Sequence, residues 1–267
     1  MDDARGDAND GDHDEAKRVA ILDLYTKAVQ AHPRLHAIRG ELAKSLAASG
    51  NPQGAERYWD IEWQSNRYRE LAGQYESQGN ASDAKEAHAI ADRLEEFIED
   101  SLTDPMFILA HASMHAFLGE MAEAQRLFEL ASDNTHESEN PAGVHIDIGR
   151  TALQFGLVDL ARAQADAAVA LEDASVMTWV AAAEIASFSG QFDIGTQRIE
   201  HAQTMKRFDE QSMLMARAAN ATLRPDSMEM GRELLRQAVA NTDDPFEAFT
   251  IARDGSGRRL ARCPGHA

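Results

Sequence analysis

Two histidines, His111 and His115, lie four residues apart in a segment with helical periodicity. This spacing places both imidazoles on one face of a helix, as a zinc site requires, and His145 begins the next apolar stripe along the chain. The motif is HASMH, with Ala112 where an HExxH zinc protease carries its catalytic glutamate. We therefore expect these histidines to pack between helices. A metal-dependent enzyme that uses His111, His115 and His145 is the alternative.

Other motifs that would indicate catalysis are incomplete or absent. Residues 7–12 (DANDGD) carry the oxygen ligands that calcium prefers, but an EF-hand needs one more residue before its glycine and a glutamate where Arg18 stands. The sequence contains no GxxxxGK[ST], GxGxxG or GxSxG motif, so phosphate-loop, dinucleotide and hydrolase chemistry have no support. We predict a protein that is not an enzyme, with no catalytic residue, no assigned metal ligand and no cofactor.

The elements that would position these residues are indicated by a repeated pattern of small residues. A small-x6-Gly-x4-small-x6-small spacing recurs along the chain, and its slots are Ala43/Gly50/Ala55/Glu62, Ala72/Gly79/Ala84/Ala91, Ala112/Gly119/Ala124/Ala131, Gly149/Gly156/Ala161/Ala168, Ala183/Gly190/Gly195/Ala202 and Ala219/Asp226/Gly231/Ala238. Small side chains are needed where two antiparallel helices cross closely, and glycine suits the left-handed turn between them. The pattern therefore predicts six helix pairs.

This pattern resembles the tetratricopeptide repeat family, whose period is about 34 residues. Trp179 stands at the position of the family's tryptophan, Tyr75 at that of its tyrosine, and Trp59 and Phe128 at that of its second-helix aromatic residue. The resemblance covers roughly residues 16–250. It implies an all-α fold, a right-handed α-solenoid of about six helix-turn-helix repeats with terminal capping helices.

The domain organisation follows from this resemblance and from charge. We expect a disordered acidic tail over residues 1–15, the TPR-like solenoid over residues 16–252, and a basic, disordered tail over residues 253–267. Single helices are predicted at both ends of the solenoid. They fit either capping helices or a segment of a longer repeat protein, and the sequence leaves both open.

Charge and composition exclude some partners. The net charge is −19, and nucleic-acid binding depends on Lys and Arg that neutralise phosphates, so we expect no nucleic acid as a partner. No apolar run reaches the roughly 18 residues of a membrane span, and no signal peptide follows Met1, so we expect a cytoplasmic protein without a membrane span. The single cysteine, Cys263, cannot form an internal disulfide.

The resemblance also implies a binding surface. In tetratricopeptide proteins the concave wall is formed by first-helix residues beside the buried stripe, and the corresponding residues here are Met106, Leu109, Phe117, Ile146, Leu153, Met177, Val180, Phe188 and Met213. We therefore predict a protein–protein interaction scaffold or adaptor that binds a peptide or amphipathic helix, with an apolar face or a basic segment, in an apolar groove. A peptide-sensing regulator is an alternative, and so is a groove filled by a terminal helix.

Overall fold

The computed structural model describes residues 8–205 and 210–241, with side chains from residue 19 onward. Every regular element in these ranges is a helix, so the all-α prediction is confirmed. The helices are α1 (Ala8–Ala31), α2 (His36–Ala48), α3 (Pro52–Arg57), α4 (Ile61–Ser77), α5 (Ala81–Glu95), α6 (Ile98–Thr103), α7 (Pro105–Phe117), α8 (Met121–Asp133), a 3-10 turn (Thr135–Glu137), α9 (Pro141–Gln154), α10 (Val158–Ala170), α11 (Val176–Phe188), α12 (Phe192–Thr204), α13 (Glu210–Leu223) and α14 (Met228–Ala240). The chain divides into two compact units, Met1–Asn134 and Thr135–Ala267.

The predicted turn glycines adopt the conformation that only glycine takes without strain. Gly50, Gly79, Gly119, Gly156 and Gly190 all have φ between +75° and +82°. At the first of these turns the N–H of Gly50 donates to the Ala47 carbonyl and the N–H of Asn51 donates to the Leu46 carbonyl. This is a Schellman motif, and the other four turns repeat its second hydrogen bond. The prediction that these residues reverse the chain between paired helices is confirmed.

The small-residue slots lie at the helix crossings. Ala43, Ala112 and Ala124 are each 0% exposed. A Cβ added at Gly149 would lie 3.0 Å from Cδ1 of Ile185 and 3.2 Å from the carbonyl oxygen of Ala161. An alanine at this position would require its neighbours to move by a few tenths of an ångström, so glycine suits this close crossing.

One slot differs from the prediction. Glu62 is exposed and belongs to α4, because α3 ends at Arg57 after only 6 residues. Trp59, assigned to the second helix of the first pair, instead lies in the connection between α3 and α4, where it is buried. The first pair therefore has a much shorter second helix than the repeat pattern predicts.

The second unit follows the packing order expected of helical repeats. Its pairs are α9 with α10, α11 with α12, and α13 with α14, and α11 also packs against α9 on one side and α13 on the other. Two apolar clusters fill these contacts, one around Ile146 and Ile185 and one around Val180, Ile199 and Met213.

The first unit departs from that order. Its pairs are α2 with α3, α4 with α5, and α7 with α8, but α2 packs against α7, far along the sequence. Contacts of the Phe107 ring accompany this packing: the ring lies 6.0 Å from that of His36 in α2, 5.1 Å from that of Trp59 and 5.5 Å from that of Phe97, all edge-to-face. The consequence is that α3, which follows α2, lies near α7 as well.

The predicted terminal segments are only partly covered by the described residues. Helix α1 begins at Ala8, within the segment predicted as a tail over residues 1–15, and the sequence has no proline before Pro33 to interrupt a helix there. The predicted basic tail over residues 253–267 and the predicted last helix lie outside the described residues. Over the ranges that the structure describes, no helix has both the length and the apolar character needed to cross a membrane.

Candidate functional site

Helices α3 and α7 bring polar side chains together inside the first unit, and both helices have a well-defined start. Asn51 caps α3, with its side-chain oxygen accepting the N–H of Gly54, and Pro52 occupies the first turn. Asp104 caps α7 in the same way, accepting the N–H groups of Met106 and Phe107. These caps fix the register of each helix.

The side chains that meet are Glu56 of α3 and His111 and His115 of α7. Nε2 of His111 lies 3.2 Å from Oε1 of Glu56 and 3.0 Å from Nε2 of His115. Nε2 of His115 lies 3.5 Å from Oε2 of Glu56. One candidate ligand atom from each residue thus lies within 4.8 Å of the other two. We call this group the His–Glu cluster.

Two neighbours orient the histidine rings of the cluster. Oε2 of Glu120 lies 2.6 Å from Nδ1 of His115, and because a carboxylate accepts, this nitrogen carries the proton. Glu120 reaches this position because it directly follows the left-handed turn at Gly119. The ring of Trp59 stacks on that of His111 with centroids 4.9 Å apart and an interplanar angle of 15°.

The electrostatics of the cluster favour an ionised carboxylate. The hydrogen bond from His111 lowers the pKa of Glu56 below its usual value, and this effect outweighs partial burial, which raises it. The side chain of His115 is 9% exposed and that of His111 is 18% exposed, whereas that of Glu56 is 52% exposed. The cluster therefore has a shielded imidazole side and an open carboxylate side.

His145, the third histidine considered from sequence, lies in the second unit and has other partners. Its Nδ1 lies 2.7 Å from Oε1 of Gln164 and its Nε2 lies 3.2 Å from Oγ1 of Thr135. Both ring nitrogens of His145 thus have neutral hydrogen-bond partners. The third residue beside His111 and His115 is Glu56, where His145 was the residue considered from the sequence.

The predicted groove residues differ in exposure. Leu109, Ile146, Val180 and Met213 are buried; Met106, Leu153 and Phe188 are half-buried; Phe117 and Met177 are exposed at 53% and 59%. The buried four pack into the cores of their own units. Of the predicted groove, only Phe117 and Met177 offer most of their surface to a partner.

A cleft of about 310 Å³ lies elsewhere in the second unit, between α12, α13 and α14. Ile199, Met230 and Leu234 provide apolar side chains to its wall, and Arg217 and Glu200 provide charged ones. Nη2 of Arg217 donates to the neutral Oε1 of Gln203 at 2.7 Å. The second helices α12 and α14 provide half of the residues that line this cleft, whereas the groove was predicted on first helices alone.

Sequence reasoning missed Glu56 for a structural reason. Neighbouring pairs were expected to stack in chain order, which separates α3 from α7 by the whole of the second pair. The packing of α2 on α7 removes that separation. The available signal was weak: Glu56 directly follows the small residue Ala55, so it stands next to a helix crossing.

Comparisons with known proteins do not assign this chain to a family. A scan against models of protein families found no match, and neither did a search of curated proteins.

Proposed function

We propose that this protein is a non-catalytic protein–protein interaction scaffold that binds a peptide or an amphipathic helix. Paired helices that pack side by side support this function, because such arrays present long surfaces between neighbouring pairs. The resemblance to tetratricopeptide repeats and a cytoplasmic location remain parts of this proposal, as does a solenoid over residues 16–252. A peptide-sensing regulator would use the same surface.

The cleft between α12, α13 and α14 is the observation that carries the proposal. Its volume of about 310 Å³ is large enough for one or two apolar side chains of a partner. Met230 is 57% exposed at the edge of the cleft. Burial of this side chain against a partner would be favourable, because methionine is apolar and adapts its shape to its neighbours. The Arg217 guanidinium, bonded to a neutral amide oxygen, would bind a carbonyl or carboxylate oxygen of the partner.

The net charge of −19 adds a long-range preference. A partner with basic residues outside the bound segment would be attracted to the chain and would associate faster at low ionic strength. The proposed partner is therefore a segment with an apolar side chain for the cleft and lysines or arginines on either side.

The test is a selection of peptides from a displayed library against the purified full chain, followed by affinity measurements with the selected peptides. Met230→Asp should weaken binding by about tenfold or more, because it places a charge at the apolar wall. Met228→Asp is the matched control: Met228 is on the same helix and 46% exposed, but it does not line the cleft. Equal affinities for wild type and Met230→Asp would show that the cleft is not the binding site.

A second variant pair tests the groove predicted from sequence. Phe117→Ser and Met177→Ser change the two most exposed residues of that groove, one in each unit. Loss of peptide binding in these variants, with Met230→Asp unaffected, would move the site to the first helices.

A further inference from the structure

We propose that Glu56, His111 and His115 form a binding site for a divalent transition-metal ion, Zn²⁺ being the ion that fits it best. The site lies within the first unit and is independent of the cleft described above. The ion would join the short helix α3 to helix α7.

The spacing of the donor atoms is close to that of a tetrahedral zinc site. Zinc–nitrogen and zinc–oxygen bonds of about 2.0–2.2 Å place neighbouring ligand atoms about 3.3–3.5 Å apart. Nε2 of His111 lies 3.0 Å from Nε2 of His115 and 3.2 Å from Oε1 of Glu56, and the second carboxylate oxygen, Oε2, lies 3.5 Å from Nε2 of His115. An ion would therefore need only small side-chain adjustments.

Without an ion, the hydrogen-bond network of the cluster has fewer donors than acceptors. Nδ1 of His115 carries a proton for Glu120, so in a neutral ring its Nε2 has only a lone pair. That lone pair faces Oε2 of Glu56, which is also an acceptor, and a single proton on Nε2 of His111 must serve both. A cation at the centre would bind the lone pair of His115 and the carboxylate of Glu56 together, and His111 would join them as a ligand when its proton leaves Nε2, either to Nδ1 or to solvent.

The surroundings also match those of histidines that bind metals. Such a histidine almost always donates its other ring N–H to a carboxylate, carbonyl or water, which fixes the ring and strengthens the ligand. Glu120 provides this contact for His115, and the stacked Trp59 ring restricts His111.

The donor set selects the class of ion. Two imidazole nitrogens and one carboxylate suit zinc and its late first-row neighbours, whereas calcium and magnesium prefer oxygen ligands throughout. Three protein ligands leave the fourth tetrahedral position for water, on the open side where Glu56 is half-exposed. The proposed role is a cross-link between α3 and α7, because the unfolded chain does not hold these residues together.

The experiment uses the full chain, stripped of metal with a chelator and titrated with ZnCl₂ alone in a calorimeter. We expect saturable binding that Glu56→Gln weakens at least about tenfold and that Glu120→Gln weakens about 10–100-fold through His115. Zn²⁺ should also raise the melting temperature of wild type but not of Glu56→Gln. With Co²⁺ in place of Zn²⁺, visible absorption should report tetrahedral coordination.

His88→Asn is the matched control. His88 Nε2 lies 3.1 Å from Oε1 of Glu76, an exposed histidine–glutamate pair without a second histidine, so this variant should bind Zn²⁺ like wild type. Because His115 is buried and its replacement threatens folding, the half-exposed Glu56 carries the decisive comparison, with circular dichroism to confirm the fold. Absence of Zn²⁺ binding by wild type, or equal affinities for wild type and Glu56→Gln, would overturn the proposal.

Discussion

At the scale of single residues, buried or partly buried charges decide how the first unit is held together. Arg39 is 0% exposed, and its guanidinium donates to the carbonyl oxygen of Pro33 at 2.9 Å and to that of Tyr58. Burial lowers the pKa of Arg39 to about 10, which still leaves it charged at neutral pH. Arg39 links the segment before α2 to the segment after α3. It therefore helps to hold together a pair whose second helix is only 6 residues long.

Asp104 is the residue for which a pH-dependent effect on stability is expected. Burial raises its pKa, but hydrogen bonds from His36 and from the N–H groups at the start of α7 outweigh this, and the net pKa lies below the ordinary value of 3.8. A carboxyl whose pKa is lowered by folding stabilises the folded state fully above its unfolded pKa. This contribution is lost as the pH falls through the folded pKa.

We predict that Asp104→Asn destabilises the protein at about pH 6 and that the difference from wild type shrinks toward about pH 3. Asparagine keeps the cap but removes the charge, whereas Asp104→Ala also removes the cap and should cost about 1 kcal/mol more. The measurement is the free energy of unfolding in urea at a series of pH values. A difference that stays constant with pH would show that the charge of Asp104 contributes nothing.

At the scale of elements, the repeated glycine turn does more than reverse the chain. The turn at Gly119 joins α7 to α8 and places Glu120 against His115, with the N–H of Glu120 donating to the His115 carbonyl at 2.9 Å. The turn at Gly50 ends α2 and is followed by the Asn51 cap of α3, the helix that carries Glu56. A turn that joins the helices of five of the six pairs therefore also positions the His–Glu cluster in the first unit.

We predict that Gly119→Ala destabilises the protein by about 1–2 kcal/mol, because its φ of +80° is strained for any residue with a Cβ. Gly73→Ala is the matched control, since Gly73 is an exposed residue inside α4 with no atom within 4 Å of an added Cβ. That change should stabilise the helix by about 0.5–1 kcal/mol. Thermal and urea unfolding of the two variants give the comparison, and an equal effect of both would argue against the left-handed turn.

At the scale of the whole molecule, charge and packing order are the dominant features. The chain carries 45 acidic residues against 26 Lys and Arg, so like charges repel across its surface. Many of the arginines form exposed ion pairs, among them Arg126 with Glu123 and Arg236 with Glu233. Exposed pairs of this kind contribute only about 0–1 kcal/mol each.

We predict that added salt raises the melting temperature at neutral pH, because screening of the net charge of −19 outweighs the weakening of the exposed ion pairs. The measurement is a thermal unfolding series in NaCl from about 0.05 to 0.5 M. Near the isoelectric point of about 4.8 the net charge vanishes and the same series should show little change. A melting temperature that falls with salt at neutral pH would mean that the ion pairs matter more than the repulsion.

The spacing of small residues was sufficient to predict the helix pairs and their turns. Glycine at a left-handed turn and alanine at a close crossing are local requirements, so their fixed spacing marked the five turns that the structure shows at Gly50, Gly79, Gly119, Gly156 and Gly190. The apolar stripes likewise identified faces to be buried, although they did not separate a groove from a core. Leu109 and Phe117 share a helix, yet one is buried and the other exposed.

Which pairs touch, and therefore where a site can form, depends on long-range packing that the repeat pattern does not encode. Helix α2 packs against α7, and the Phe107 ring contacts His36 of α2 as well as Trp59 and Phe97, a long-range arrangement that no local spacing encodes. His111 and His115 were visible in the sequence as a pair because helical periodicity fixes their common face. The proximity of Glu56 to these histidines could not be predicted in this way, because it depends on packing between side chains that are distant in the chain.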